Sequence, residues 1–239
     1  MANTLRSCII AEEGYTFIAA DASQIELRVL AILSKDPQML EDLKTGDLHM
    51  ATAVRMFGYI DDPDTMESRR YMAKQGNFAL VYGADAFKLS QMLDCSIEEA
   101  EDFMSEHKRS YPTLYRWMEA KRTQAKQDGY VTTMFGRIRY IPDLKSTNWK
   151  LRERALMKVV NTIVQGSAVD IVKRMMLYMR MSLDKSIRLV LQVHDEMVFE
   201  LPMNLLQNTI EEFRKLSTIF PDYPISIKTG KAYGELANV

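Results

Sequence analysis

The chain has 239 residues, nearly half of them hydrophobic, which is enough for one large domain or two small ones with a packed core. Its 31 basic and 32 acidic side chains leave a net charge of −1, so any nucleic-acid binding must come from local basic patches. Two cysteines are too few for a disulfide framework and indicate a reduced, cytosolic setting, and neither a secretory signal nor a run of 18 apolar residues predicts export or a membrane span.

The first part of the chain predicts one strand followed by short helices. An apolar run over residues 15–20 predicts a buried strand that ends at Asp21. Apolar spacing over residues 24–33 turns helical, and Lys35-Asp36-Pro37 ends that helix. Two more short helices are expected, one running to Lys44 and one over residues 49–57.

A helical block is predicted for the middle of the chain. Its longest helix covers residues 65–82 and is closed by Gly83, and Gly76 inside it marks a bend or a close contact. Further helices are expected over residues 85–93, 96–109 and 112–127. Residues 130–140 alternate in polarity around a Phe-Gly-Arg turn, as in a hairpin.

The last part predicts two helices, a hairpin and a final helix and strand. Gln165-Gly166 separates helices over residues 149–164 and 168–182. Apolar runs over residues 187–193 and 197–201 predict two strands, with His194-Asp195-Glu196 at the tip between them. A helix over residues 205–216 and a strand over residues 225–229 follow, so the fold is mostly helical with a small sheet.

Two aspartates follow predicted strands and form a candidate metal site. If the strands pair in one sheet, Asp21 and Asp195 emerge at the same edge. Mg²⁺ typically takes one or two protein carboxylates and leaves the rest of its shell to water and phosphate oxygens. Two such ions can activate an attacking hydroxyl and stabilise a leaving oxygen. An Asp at a strand end or turn is also common without any metal.

Cations and rings repeat every four residues along the longest helix. Arg70, Lys74, Phe78 and Tyr82 form a stripe about 18 Å long, with charge at one end and stacking surface at the other. A nucleoside triphosphate has the same polarity, and Arg suits phosphate contact. The alternative is a solvated helix face with two half-buried rings. His49 is either a phosphate contact or an ordinary buried histidine.

These segments resemble the polymerase motifs of family A DNA polymerases, the DNA polymerase I type. The matching stretches lie in the family's order from about Ile9 to the C-terminus: Asp21-Ala22-Ser23-Gln24-Ile25-Glu26-Leu27-Arg28, Arg70-x3-Lys74-x3-Phe78-x3-Tyr82-Gly83, Phe135-Gly136-Arg137-x-Arg139-Tyr140-x-Pro142-Asp143, Asn161-x3-Gln165-Gly166 and Gln192-Val193-His194-Asp195-Glu196. The sequence departs from the family pattern at Ala22, Ala79 and Met157, where an aromatic residue, Gly and Arg are usual.

The resemblance implies a role for each matching residue. Asp21 and Asp195 would hold two Mg²⁺ ions with Glu196 beside them, and Lys74 would protonate the departing pyrophosphate. The implied nucleotide-binding residues are Gln24, Glu26, His49, Arg70, Lys74, Phe78 and Tyr82. The implied DNA-binding residues are Arg137, Arg139, Asn161, Gln165 and His194.

The resemblance also implies an α+β architecture and a set of partners. Residues 1–30 and 151–239 would form the palm with a small antiparallel sheet, and residues 31–150 the mostly helical fingers, without thumb or exonuclease domains. The implied partners are primer-template DNA and deoxynucleoside triphosphates, with a separate thumb or exonuclease subunit as a further candidate and no membrane. We expect the protein in the cytoplasm, or in the host cytoplasm if it is viral.

Two alternatives differ from a template-directed DNA polymerase core. The first is a non-catalytic or split-enzyme module that needs a thumb-bearing partner to bind DNA. The second is a relative of the single-subunit RNA polymerases, against which Glu26 argues because the resemblance places this side chain under the sugar, where it would help to exclude a 2′-hydroxyl.

Overall fold

The structure, a computed structural model, describes residues 2–239, with side chains from residue 5 onward. Its helices are α1 (Ala2–Ser7), α2 (Ile25–Ser34), α3 (Pro37–Lys44), α4 (Leu48–Phe57), α5 (Pro63–Val81), α6 (Ala86–Leu93), α7 (Ile97–Ser110), α8 (Pro112–Asp128), α9 (Trp149–Ser182) and α10 (Leu206–Ile219). Its strands are β1 (Tyr15–Ala22), β2 (Tyr130–Thr132), β3 (Ile138–Tyr140), β4 (Arg188–Val193), β5 (Glu196–Pro202), β6 (Ile225–Gly230) and β7 (Ala237–Asn238). The predicted α+β fold with a small antiparallel sheet is confirmed.

The chain forms two compact units. The first, here the sheet unit, joins the residues up to Glu26 to Ala168–Val239, and the second, the helical unit, is Leu27–Ser167.

The sheet unit is built around β1. Its strand order within the described chain is β4-β5-β1-β6-β7, with antiparallel neighbours throughout. β1 is central and almost wholly buried, because Phe17 and Ala19 pack with Val198 and Tyr233. Next to β1, Phe199 of β5 meets Phe213 of α10 edge to face, with ring centroids 5.3 Å apart. This burial on either side fixes the register of β1, and with it the position of its last residues.

The edge strand β4 is irregular. Leu189 faces Phe199 and Leu191 faces Val198 in the register, so Val190 is an extra residue without a counterpart on β5, a β-bulge. Beside the bulge, Arg188 pairs with Glu200 at 2.8 Å.

In the helical unit, the longest helix before α9 begins and ends as its sequence dictates. Asp62 caps α5 by accepting a hydrogen bond from the Thr65 N–H, and Pro63 takes the first helical position. The helix ends at Val81 with Tyr82 as its C-cap, and Gly83 follows with a φ of 85°. Gly76 lies against α7: a Cβ at this position would be 2.5 Å from the Phe103 ring. The structure thus shows the close contact that the sequence left open.

The prediction of two helices separated by Gln165-Gly166 is wrong. α9 is one continuous helix of 34 residues. Glycine in a helix costs about 1 kcal/mol relative to alanine, but packing outweighs that cost here. A Cβ on Gly166 would be 2.8 Å from Thr133 Cγ2 and 3.3 Å from Arg137 Nη2, so the glycine is needed for the approach of the β2–β3 hairpin.

The predicted three-residue hairpin tip is also corrected. Glu196 is the first residue of β5 and pairs with Val193, so the turn consists of His194 and Asp195. The sequence did not predict α1 or β7.

α9 is long and apolar enough to cross a membrane by length and composition alone. In its most apolar window, 56% of the residues are buried within the fold, as in the core helix of many soluble proteins.

Candidate functional site

Three predicted carboxylates gather at one edge of the sheet unit. Asp21 lies near the end of β1 and faces Glu196 of β5 in the antiparallel register. The Ala22 N–H donates to the Asp195 carbonyl at 3.4 Å, which holds the β4–β5 turn beside the end of β1. All three carboxylate residues are half-buried, so the edge combines concentrated negative charge with limited access to water.

The backbone is strained on either side of these carboxylates. Gln24 and His194 have φ values of 54° and 53°, in the left-handed region of backbone conformation that residues other than Gly, Asn and Asp rarely adopt. Such residues persist where the surrounding structure over-determines them, and they cluster at functional sites. Here each lies one to three residues from a predicted metal ligand.

Glu196 has a partner that the sequence did not reveal. The Tyr233 hydroxyl donates to Glu196 Oε1 at 2.6 Å, across 37 positions in sequence. Burial and the neighbouring Glu196 carboxylate raise the pKa of Tyr233 to about 12, so the hydroxyl stays a donor at physiological pH. No short-range pattern connects these two residues, because their contact arises only from the pairing of β5, β1 and β6.

The carboxylates at the sheet edge are ligands of the chemical type that hard divalent cations prefer. Within residues 2–239, no three His, Cys, Asp or Glu side chains are arranged as a metal-binding cluster. Asp21 and Asp195 offer two hard oxygen ligands, and Mg²⁺ retains several waters and phosphate oxygens when one or two carboxylates hold it. A catalytic ion needs such open positions for substrate.

The helical unit carries the predicted stripe on α5. The Arg70 Nε donates to Asp47 Oδ2 at 2.5 Å and one of its Nη atoms to Glu67 at 3.2 Å, which fixes the direction of the guanidinium. Lys74 is exposed one turn further on. Phe78 and Tyr82 complete the stripe as half-buried rings with centroids 6.2 Å apart. Charge and aromatic surface therefore lie in the order that the sequence predicted.

His49 lies beneath this stripe. The residue is only 2% exposed, and its ring centroid is 5.8 Å from that of Phe78. Burial lowers the pKa of His49 to about 4, with Asp47 opposing the shift and Arg70 and Lys74 adding to it. The imidazole is therefore neutral at physiological pH.

A buried polar network links α3, α4, α5, α7 and α8, and sequence reasoning missed it. Asn77 contacts His49, Thr52 and His107, and all four residues are at most 2% exposed. At its other end, the Arg55 guanidinium donates two hydrogen bonds to Asp42, at 2.7 and 2.8 Å. The i, i+4 stripe gave no hint of this network, because Asn77 sits on the neighbouring face of α5.

The predicted DNA contacts lie in both units. Arg137 and Arg139, on the β2–β3 hairpin, donate to Gly166 O at 2.9 Å and to Thr162 Oγ1 at 3.0 Å, so both are anchored to α9. Asn161 and Gln165 are one turn apart on α9 in the helical unit, half-buried and exposed respectively. His194 is exposed on the turn of the sheet unit. Glu26, a half-buried nucleotide-binding candidate, follows the first residue of α2.

Comparison with known proteins identifies the family. The model of DNA polymerase family A matches residues 1–233.

The chain belongs to the family A DNA polymerases.

Relatives of known name support this membership. The chain is 37% identical to DNA polymerase I of Pseudomonas aeruginosa over 232 residues, which are 95% of this chain and 25% of the relative. It is 42% identical to the thermostable DNA polymerase I of Thermus aquaticus over 200 residues, 83% of this chain and 24% of the relative. The chain thus spans about a quarter of the length of these family A polymerases.

A solved structure of the same family shares the fold. It is the POL domain of Pol1 from M. smegmatis in complex with DNA primer-template and dNTP. The match has a TM-score of 0.88 at 32% identity and covers 97% of this chain and 42% of that one. The predicted resemblance to family A polymerases is thereby confirmed.

Proposed function

We propose that the chain is the catalytic core of a template-directed DNA polymerase, which adds deoxynucleotides to a primer 3′-hydroxyl and releases pyrophosphate. The observation that carries this proposal is the sheet edge where Asp21, Asp195 and Glu196 meet in a family A polymerase. In this proposal residues 1–30 and 151–239 form the palm, which includes the whole sheet unit, and residues 31–150 of the helical unit form the fingers. The substrates are primer-template DNA and deoxynucleoside triphosphates, and the protein acts in the cytoplasm, or in the host cytoplasm if it is viral.

At the sheet edge, Asp21 and Asp195 would hold two Mg²⁺ ions. When bound, such ions would supply Lewis-acid chemistry that activates the attacking hydroxyl and neutralises charge on the leaving oxygen. Glu196, fixed by the Tyr233 hydroxyl, supports the two aspartates from the side. Because phosphoryl transfer depends on positioning and charge neutralisation, the main task of these carboxylates would be to fix the positions of the cations that the triphosphate meets.

On the helical unit, the stripe of α5 binds the incoming nucleotide. Arg70, held in direction by Asp47, donates to phosphate oxygens. Lys74 lies one turn further along and donates the proton that the departing pyrophosphate needs. Phe78 and Tyr82 meet the sugar and base. In the sheet unit, Gln24 precedes α2 and Glu26 is the second residue of that helix, and in this proposal Glu26 excludes a 2′-hydroxyl.

The remaining predicted residues contact DNA. Asn161, Gln165 and His194 touch the primer-terminal base pair from the minor groove, and Arg137 and Arg139 contact the backbone. The donors of Asn161 and Gln165 suit the base acceptors that the minor groove presents with every base pair. The non-catalytic alternative has no observation in its favour, since the carboxylate edge and the stripe are both intact.

Primer extension with Mg²⁺ tests the proposal. We expect incorporation of deoxynucleotides by the wild-type chain and a loss of about a thousandfold or more in Asp195→Asn, because the variant loses a carboxylate that would hold a metal ion at the reacting phosphate. Asp102→Asn, which neutralises an exposed carboxylate on α7, is the matched control and should extend normally. Extension that survives Asp195→Asn would refute the metal assignment. Faster incorporation of ribonucleotides than deoxynucleotides would favour an RNA polymerase instead.

A further inference from the structure

Asn77 is at the centre of the buried network in the helical unit. Its Nδ2 lies 3.2 Å from His49 Nδ1 and 3.1 Å from Thr52 Oγ1, and its Oδ1 lies 3.1 Å from His107 Nε2. The residue is 1% exposed, so water does not compete for these contacts. One amide therefore connects two histidines that approach it from different helices, α4 and α7.

The orientation of this amide follows from Thr52. The Thr52 hydroxyl donates its single proton to the Leu48 carbonyl at 2.8 Å, so towards Asn77 it can only accept. The group that faces Thr52 must then be the Asn77 NH₂. The hydrogen-bond network thereby settles the choice between the two amide orientations.

This orientation decides the protonation of both histidines. The same NH₂ faces His49 Nδ1, so this nitrogen accepts a hydrogen bond and the ring proton of neutral His49 is on Nε2. On the other side, Asn77 Oδ1 accepts from His107 Nε2–H. Burial lowers the pKa of His107 to about 3, so its Nδ1 accepts from the Tyr115 hydroxyl at 2.9 Å. In the series of hydrogen bonds Tyr115–His107–Asn77–His49, each residue thus donates to the next one.

We propose that Asn77 is a positioning residue, which holds His49 as the neutral tautomer protonated at Nε2, ready to donate a hydrogen bond to the triphosphate of the incoming nucleotide. The assignment of the triphosphate as ligand rests on the proposed polymerase function, whereas the assignment of the His49 tautomer rests on the hydrogen bonds alone. The second nitrogen of a histidine is commonly set in this way by the hydrogen bond that the first one makes.

The charged groups that face His49 are Asp47 of its own N-cap and Arg70 and Lys74 of α5. The two cations supply the positive charge towards a phosphate. His49 adds a hydrogen-bond donor without adding charge. Asn77 keeps the proton on Nε2, so this nitrogen does not present an acceptor lone pair to the phosphate. An acceptor facing a phosphate oxygen would repel it.

The tautomer can be measured directly by ¹⁵N–¹H NMR of the imidazoles. The chain has three histidines, so His→Gln variants assign the signals. We expect His49 to show a protonated Nε2 and an unprotonated Nδ1, and not to titrate between about pH 8 and pH 5, since burial lowers its pKa to about 4. A proton on Nδ1 in the wild type would overturn the proposal without any variant and without any polymerase assay.

Asn77→Asp has the same shape but can only accept hydrogen bonds. Its carboxylate should draw a proton to His49 Nδ1 and raise the pKa of the ring. At high pH the neutral variant then presents an acceptor at Nε2, and at low pH the imidazolium donates again. The ratio of the nucleotide KM in the variant to that in the wild type should be about ten at roughly pH 8.5, the effect of about one charge-assisted hydrogen bond, and should approach one near pH 6.

Gln75→Glu is the matched control, because it places the same new charge on α5 two positions away. It should give a KM ratio that does not vary with pH and should leave the His49 signals unchanged. If the His49 tautomer shifts in Asn77→Asp but the KM ratio does not vary with pH, the proposed role of His49 in nucleotide binding is overturned. If the wild type fails to extend primers at all, the proposed function fails, and the NMR measurement still decides the tautomer.

Discussion

At the scale of single residues, the sheet edge depends on a hydrogen bond that joins the end of the chain to β5. Tyr233 is 6% exposed and donates to Glu196 Oε1 at 2.6 Å. A carboxylate held by a buried hydroxyl is restricted to one rotamer, so Glu196 keeps its position beside the proposed metal ligands. In the proposed mechanism, this contact keeps the Glu196 carboxylate in a fixed position, where it supports the two aspartates that would hold the metal ions.

Tyr233→Phe is expected to lower kcat about tenfold and to change the nucleotide KM by less than about twofold. Losing one hydrogen bond to a charged group typically costs about 1.5–3 kcal/mol, which corresponds to roughly a tenfold or larger change in rate. The change affects the sheet edge and leaves the stripe on α5 unaltered. Steady-state primer extension measures both constants. Tyr59→Phe, at an exposed position of the helical unit, is the control. A change in KM with unaltered kcat would mean that Tyr233 acts elsewhere.

At the scale of elements, α5 and α7 pack so closely that only glycine fits between them. A Cβ on Gly76 would be 2.5 Å from two atoms of the Phe103 ring. Phe103 belongs to a core cluster with Leu80, Leu89 and Leu93, so the ring cannot move aside without disturbing its neighbours. α5 therefore keeps the position from which its stripe is presented.

Gly76→Ala should destabilise the helical unit by about 1–3 kcal/mol, because overpacking outweighs the roughly 1 kcal/mol that alanine gains in helix propensity. Urea unfolding followed by tryptophan fluorescence measures this, and both tryptophans, Trp117 and Trp149, lie in the helical unit. Ser68→Ala, at an exposed position of α5, is the control. Adding Phe103→Leu should recover part of the loss, and a Gly76→Ala variant as stable as the wild type would contradict the packing argument.

Local pattern in the sequence was sufficient for most elements. The order of strands and helices, the ends of α5 and the i, i+4 stripe follow from caps, glycines and apolar spacing, which act within a few residues. The same reasoning failed at Gly166, where the contact with Thr133 favours an unbroken helix. It also failed to find Asn77 and Tyr233, whose partners are up to 37 residues away.

At the scale of the whole molecule, two buried histidines make stability depend on pH. Burial lowers the pKa of His49 to about 4 and that of His107 to about 3, from 6.5. Between about pH 6.5 and pH 4, both histidines are protonated in the unfolded chain and remain neutral in the folded chain. The stability that these groups contribute is therefore present above pH 6.5 and is lost as the pH falls.

Lowering the pH from 7 to 5 should cost the helical unit roughly 4 kcal/mol, about 2 kcal/mol for each histidine at 1.4 kcal/mol per pH unit. Urea unfolding followed by tryptophan fluorescence at the two pH values measures this. His107→Gln should remove about half of the difference, and His194→Gln, at an exposed position, should leave it unchanged. An equal pH dependence in the wild type and in His107→Gln would show that the buried ring is protonated in the folded protein.

The bulge at Val190 has a consequence for contacts between molecules. β4 is an edge strand, and a regular edge with exposed apolar side chains would be a template for a strand from a second copy. Leu189 and Val190 are 39% and 40% exposed, which makes this edge such a hazard. The unpaired Val190 interrupts the ladder, and the Arg188–Glu200 ion pair adds charge beside it. The bulge thereby disfavours the strand-by-strand aggregation that an uninterrupted β4 would invite at high protein concentration.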